Sequence, residues 1–211
     1  LFKLLKVPFF YRPLFYGVGA AIEHLDLLKS FSKLNTIVDI GSNRGQFAIV
    51  ARHAFPEAKI ICFEPLKAPG KIFNSIFSKD DKIILHPVAV GPKEDNIDMH
   101  VSLKDDSSSL LAINKIQNEI FPGTKENHLE KVDVVNLKKL IDAEDIKNKS
   151  FLKIDVQGYE LETLKGSEDL LKYFNYIYVE CSFLELYEGN ALANEVIQFL
   201  IKQCQKMVRQ L

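Results

Sequence analysis

The run Thr36-Ile37-Val38-Asp39-Ile40-Gly41-Ser42-Asn43-Arg44-Gly45-Gln46-Phe47 constrains this chain more than any other stretch. Its apolar, β-branched first half reads as a buried strand. Its second half opens a helical pattern that runs from Gly45 to Ala54, ahead of Pro56. Between the two stand an acid and two glycines in the spacing D-x-G-x-x-x-G. Glycine lets the backbone turn left-handed and approach a ligand closely, and a helix that starts there offers unpaired N–H groups. A second apolar run, Lys59 to Phe63, ends on Glu64-Pro65. A carboxylate at that place can accept hydrogen bonds from both hydroxyls of a ribose. The pattern implies a nucleoside-binding α/β sheet.

The rest of the chain continues the alternation. Ala20 to Leu34 has helical spacing, with Ile22, Leu25, Leu28, Phe31 and Leu34 on one stripe. Lys71 to Phe77 reads as a helix and Lys82 to Val90 as a third strand, closed by Gly91-Pro92. Asn96 to Leu103 alternates like a hairpin strand. Residues 110–130 read as an irregular insertion over the site, followed by a short strand, Val132 to Val135, and a short helix, Asn136 to Asp142. Strand, helix, strand and helix then follow at Phe151–Val156, Gly158–Tyr173, Tyr176–Cys181 and Ala191–Lys206, the last with Val196, Phe199, Leu200 and Cys204 facing inward. Lys206 to Leu211 reads as the start of a further edge strand with no returning partner. The expected fold is therefore α/β: a Rossmann-like, mostly parallel, doubly wound sheet with helices on both faces. Residues 1–34 form an N-terminal helical appendage and residues 35–211 the main domain, its C-terminal edge hairpin incomplete.

Composition narrows the function. The 211 residues carry a formal net charge of -1, which is no basic footprint for nucleic acid. Cys62, Cys181 and Cys204 are far apart and fit neither a disulfide framework nor a zinc pattern, so no metal is expected and a cytoplasmic setting is. No apolar run is long enough for a membrane span. Leu1 to Gly19 is aromatic but interrupted by Lys3, Lys6, Arg12 and prolines, unlike a signal peptide. It packs over the domain or makes a peripheral contact with a membrane surface or a partner enzyme.

In an open parallel sheet, ligands bind beyond the carboxyl ends of the strands. Asp39, Glu64, Asp155 and Glu180 stand there. Asp39 is expected to order the glycine loop and Glu64 to hold the ribose. Asp155, on a strand beside the first, is the expected general base or substrate orienter. Glu160 either joins that polar cluster or favours the helix N-terminus. His86, late in the third strand, is the runner-up base or an adenine contact. Ser107, Ser108 and Ser109 either touch substrate hydroxyls or form a plain polar loop. His24, His53, His100 and His128 have no metal-ligand spacing and read as surface or structural residues.

The glycine spacing is not G-x-G-x-x-G, which points away from NAD and toward S-adenosylmethionine (SAM). Ordered motifs sharpen this: Val38 to Phe47, Phe63-Glu64-Pro65, Val88-Ala89-Val90-Gly91, Ser108-Ser109-Leu110, Leu152 to Gly166, Val179-Glu180 and Leu186-Tyr187-Glu188-Gly189. Together, over roughly Thr36 to Gln203, they resemble the FkbM-type SAM-dependent methyltransferases. The segment Lys153-Ile154-Asp155-Val156-Gln157-Gly158 carries most of the likeness. The resemblance implies a class I methyltransferase fold and methyl transfer, usually to a hydroxyl oxygen of a sugar, glycan or natural product. The expected cofactor set is Asp39, Gly41, Ser42, Asn43, Gly45, Phe47, Glu64, Pro65, Val88, Ala89, Asp155 and Gln157. The catalytic set is Asp155, His86 and Glu160, and the substrate set Ser108, Ser109, Glu180 and Tyr187. Three alternatives stand beside it: a non-catalytic SAM-binding module, an NAD-dependent oxidoreductase, and a variant in which Asp155 and Glu180 hold Mg²⁺.

Overall fold

The computed structural model describes residues 8–208. Its first helices are short: a 3-10 turn at Pro8–Phe10, α1 (Tyr11–Phe15), a second 3-10 turn at Ile22–His24 and α2 (Leu25–Lys29). The single helix expected over Ala20–Leu34 is thus broken. The Ser30 hydroxyl donates to the Leu27 carbonyl at 2.6 Å, diverting an oxygen that a longer helix would need.

Then come β1 (Thr36–Ile40), α3 (Gln46–Ala54), β2 (Lys59–Phe63), α4 (Lys67–Phe77) and β3 (Ile83–His86). Helix α4 starts earlier than its apolar pattern, because Pro69 sits in its first turn, where a missing N–H costs nothing. The third strand stops at His86. Pro87 has no N–H to continue the ladder, and β4 (Ala89–Val90) departs to a second sheet.

That second sheet replaces most of the expected irregular insertion. Strand β5 (Asp95–Ser102) pairs antiparallel with β6 (Glu126–Val135), and β4 pairs parallel with β6. Between β5 and β6 lies α5 (Lys115–Ile120). Leu66, Met99, Val101 and Val132 bury one face of this small sheet. The short helix expected at Asn136–Asp142 is a 3-10 turn, Leu137–Lys139.

The chain returns with β7 (Ser150–Ile154), α6 (Glu160–Gly166), α7 (Glu168–Leu171), β8 (Tyr176–Val179) and α8 (Ala193–Val208). Helices α6 and α7 were expected as one. They part at Ser167, whose hydroxyl donates to the Thr163 carbonyl at 2.8 Å. Residues 206–208 belong to α8 rather than to an edge strand, and residues 209–211 lie outside the described residues. Cys204 is exposed, contrary to expectation, and Gln203 turns inward with its Nε2 on Glu168 Oε1 at 3.0 Å.

The main sheet has the order β3-β2-β1-β7-β8, all parallel. Side chains alternate across it. Ile37 and Phe151 join a core with α3, α4 and the N-terminal residues Phe10, Val18, Ala20 and Leu28. Val38, Ile40, Leu152 and Ile154 join the core on the other face with Leu164, Leu171 and Val196. Chain order reverses direction between β1 and β7, since β2 lies on one side of β1 and β7 on the other. This is the switch point where an open sheet leaves a crevice at its carboxyl edge. Among the described residues no helix is long and apolar enough to cross a membrane.

Candidate functional site

The crevice is built on a tight crossing. Gly41 has φ +85°, and a Cβ there would stand 1.8 Å from the Asp155 carbonyl oxygen. Only glycine lets β1 and β7 leave the sheet this close together. Gly45 has φ +91° and precedes α3, and a Cβ on it would meet the ring of Phe77 at 2.6 Å. Between them Asn43 is left-handed (φ +45°), a conformation asparagine tolerates better than most residues. Its side-chain oxygen accepts from Arg44 N at 2.8 Å and from Gln46 Nε2 at 3.1 Å. Arg44 then pairs with Asp105 at 2.6 Å, tying the glycine loop to the loop that follows β5.

Glu64 is buried at the end of β2. One carboxylate oxygen accepts from Asn43 N at 2.9 Å and the other from Leu66 N at 2.8 Å. Burial pushes its pKa up to about 7, with those two N–H groups pulling the other way. Each oxygen keeps a second lone pair for a ligand hydroxyl.

A second cluster spans β1 and β7. Asp39 and Lys153 are direct partners in the parallel register and share one face of the sheet. Lys153 Nζ lies 3.3 Å from Asp39 Oδ1 and 3.2 Å from Asp155 Oδ2, and 5.4 Å above the centre of the Phe47 ring. All of Lys153 and Asp39 is buried. Burial works against the ammonium, but the carboxylates of Asp39 and Asp155 outweigh it and hold the lysine above its usual range. For Asp39, burial raises the pKa and Lys153 opposes the rise. Asp39 therefore anchors a buried ion pair beneath the glycine loop. The ammonium at 3.3 Å is its charge partner, though its two oxygens have no closer hydrogen bond among the described residues.

Asp155 is held at both oxygens, by Lys153 and by Gln157 Nε2 at 2.8 Å. Gln157 is itself left-handed (φ +54°), and its Oε1 lies 2.8 Å from the Tyr187 hydroxyl. Glu180, at the end of β8, faces the same cavity as Asp155. The Asp155 charge, then burial, raise the pKa of Glu180, so Glu180 keeps a proton more readily than a lone carboxylate would. Among the described residues no group of three or more His, Cys, Asp or Glu side chains is placed to hold a metal ion.

Two cavities open on these residues. A small one, about 50 Å³, is lined by Glu64, Pro65, Val88, Ala89, Met99 and Ser108 among others. A large one, about 600 Å³, is lined by Ser42, Gln46, Phe47, Lys153, Glu180 and the segment 19–24 among others. Gly41, Asn43, Asp106, Asp155 and Gln157 line both, so the cavities meet at the switch point.

Most of the expected residues come together here, and some do not. His86 lines neither cavity. Its ring stacks on Phe63, 5.0 Å between centroids, and burial lowers its pKa. Ser109 is fully buried, and its hydroxyl accepts from Leu111 N at 3.0 Å. Ser108 borders the small cavity, not the large one, and its hydroxyl oxygen accepts from Ser102 N. Glu160 is turned into the protein. Its Oε1 accepts from Val156 N at 3.2 Å and from Gly158 N at 3.0 Å, so it braces the turn after β7 rather than joining the Asp155 cluster. Tyr187 supports Gln157 from outside the cavity wall. Lys153, Gln46, Gln117 and His24 belong to the large cavity without having been expected there. For Lys153 the sequence carried a signal: a lysine inside the apolar run Phe151–Ile154 is buried on both faces and needs a charge partner.

Comparison with known proteins follows the same lines. A family model described as "Methyltransferase FkbM domain" matches residues 39–208. The chain is 26% identical over 175 residues to 2-O-methyltransferase NoeI of Sinorhizobium fredii, covering 78% of this chain and 70% of that protein. It is 26% identical over 145 residues to Methyltransferase 1 of Beauveria bassiana, covering 63% of this chain and 58% of that protein. Among solved structures, a chain of the fibrillarin/Nop5p complex aligns with a TM-score of 0.40 at 14% identity, over 86% of this chain and 68% of that one, too loose a likeness to add to the fold described above.

Proposed function

The chain belongs to the FkbM methyltransferase family, and we propose that it moves a methyl group from SAM to a hydroxyl oxygen of a sugar, glycan or natural-product acceptor. The observation that carries this reading is the junction of the two cavities. Glu64, Pro65, Val88 and Ala89 offer a nucleoside its contacts around a cavity of about 50 Å³ that has to widen to take a whole one, and whatever continues from the ribose must pass Gly41 and Asp155 into the larger space. The residues present suit the cofactor. Glu64 offers paired acceptors for a diol, Val88, Ala89 and Met99 an apolar wall for a base, and Gly41 the close backbone approach. The name of the Sinorhizobium relative, a 2-O-methyltransferase, supports oxygen as the atom that receives the methyl group.

When bound, SAM supplies a methyl group on a sulfonium, and the protein's main task is to align an acceptor oxygen with it. Asp155 lies at the junction with Lys153 and Gln157 fixing both its oxygens. From there it would take the hydroxyl proton of an acceptor as that oxygen becomes the nucleophile. Glu180 lines the large cavity with Asp155 and would orient the same hydroxyl.

Calorimetry with SAM and S-adenosylhomocysteine, followed by an acceptor screen starting with glycans, tests the reading. At saturating SAM, Asp155→Asn is expected to lower turnover by roughly 10²–10⁴-fold, the usual worth of general-base catalysis. Full turnover in that variant refutes the role of Asp155. A wild-type chain that binds neither ligand refutes the cofactor.

A further inference from the structure

The segment Gly19–His24 precedes the family-matched residues, yet Gly19, Ala20, Ala21, Glu23 and His24 line the large cavity. It is tied to the first turn of α3: Ala21 N donates to the Gln46 carbonyl at 3.1 Å. His24 is clamped edge-on between two rings, Phe47 at 5.4 Å and Tyr178 at 5.7 Å, and its side chain is only 14% exposed. Such a ring has little freedom. Its nearest charged neighbour is Glu23 at 3.8 Å, beyond a good hydrogen bond, and no described residue pairs with its nitrogens more closely. Beside it, Gln46 spends its amide N–H on Asn43, and its Oε1 is buried with no partner. Three polar groups thus border one cavity without a hydrogen-bond partner: the His24 ring, able to donate, and the buried side-chain oxygens of Gln46 and Gln117, able to accept. Buried oxygens of this kind are unusual in native interiors, and that of Gln46 sits on the helix turn tied to the His24 segment.

The chemistry of the missing partner follows. Burial and the nearby Lys153 lower the pKa of the imidazole against the opposing pull of Glu23, Asp155 and Asp39, which favours the uncharged ring. Tyr178, packed on the same ring, is held neutral by burial. A neutral imidazole offers one N–H, and Gln46 offers one carbonyl oxygen. An α-amino acid zwitterion presents the complement: a carboxylate to take the N–H and an ammonium to give one back. Most other charged groups on the cavity wall, Glu23, Asp106, Asp155 and Glu180, are acidic and favour the ammonium and the sulfonium. Lys153 is already committed to Asp39 and Asp155, and Lys104 donates to the Pro122 carbonyl.

We propose that His24 and Gln46 form the subsite for the amino-acid end of SAM, so that the segment upstream of the matched domain is part of the cofactor site. The assignment deepens the proposed function and rests on it.

The test compares two ligands by calorimetry. S-adenosylhomocysteine carries the amino-acid end, and 5′-methylthioadenosine has the same nucleoside and thioether without it. His24→Phe keeps a ring between Phe47 and Tyr178 but removes the N–H, and Gln46→Met keeps the length but removes the carbonyl. Each is expected to weaken S-adenosylhomocysteine about tenfold, the scale of one hydrogen bond to a charged group, and to leave 5′-methylthioadenosine within about twofold. His24→Gln, which restores an N–H donor, is expected to recover part of the loss. Equal weakening of both ligands, or no change in either, overturns the assignment. A wild-type chain that binds neither ligand overturns the cofactor reading and this one with it. Should the variants fail to fold, ring ¹⁵N spectra of the wild type decide: a His24 shift with S-adenosylhomocysteine and none with 5′-methylthioadenosine supports the subsite, and equal shifts reject it.

Discussion

Glu64 and Glu160 occupy two corners of the same sheet edge, one just past β2 and the other opening α6 after β7. Both are about 4% exposed, both accept two backbone N–H groups, and burial raises both to about 7. Their surroundings differ in one respect. Glu64 borders the small cavity, and Glu160 borders neither cavity. Glu64 also divides its N–H partners between two oxygens, whereas Glu160 serves both with Oε1 alone. A displaced pKa therefore marks a buried carboxylate in both cases and a ligand site in only one. What separates binding from bracing is access, and the proton affinity alone does not reveal it.

Truncating each side chain should break the symmetry. Glu160 itself reaches no cavity, so Glu160→Ala, which strands the N–H groups of Val156 and Gly158, is expected to act on stability alone, at a cost of about 3 kcal/mol in urea unfolding. Glu64→Ala strands Asn43 N and Leu66 N as well, but beside a cavity of about 50 Å³, room enough for a water to replace the lost oxygens. Its stability loss should be smaller, about 1 kcal/mol, while S-adenosylhomocysteine affinity falls by about 30-fold, or 2 kcal/mol. If Glu64→Ala destabilises as much as Glu160→Ala and leaves affinity alone, the two residues are both braces and the ribose assignment is lost.

The same distinction governs what the sequence could reveal. Strands β1 and β2 were legible to the residue, because each is a short apolar run closed by glycine or proline, a strictly local signal. The first half of β6 was not. Glu126 to Lys131 is polar and mostly exposed, and it is a strand only because β5 pairs with it across the second sheet. Asp39, Glu64 and Asp155 could be placed at strand ends from alternation alone. That Glu160 turns inward depends on the turn Val156–Gly158, whose backbone geometry leaves no trace in the pattern. His24 was the hardest to see. Nothing in its own neighbourhood signals a cavity, and it reaches one only because α3 and β8 bring Phe47 and Tyr178 around it.

The pH dependence of binding offers the finest separation. A ribose diol donates into the carboxylate of Glu64, which favours its anion, so the bound form has a lower pKa than the free form at about 7. Binding then releases a proton. Affinity should be level above pH 8, weaken as pH falls through 7, and be about tenfold lower at pH 6 than at pH 8, the change expected for one proton. Glu64→Gln removes the titrating group and should flatten this dependence between pH 6 and 8. Glu160→Gln keeps the one oxygen that both N–H groups use, so its fold should survive. Because Glu160 touches no ligand space, that variant should keep the wild-type slope. Calorimetry of S-adenosylhomocysteine across this range reads both. A slope that survives Glu64→Gln and disappears in Glu160→Gln would reverse the two roles, and would mean that the turn after β7, rather than the end of β2, feels the nucleoside.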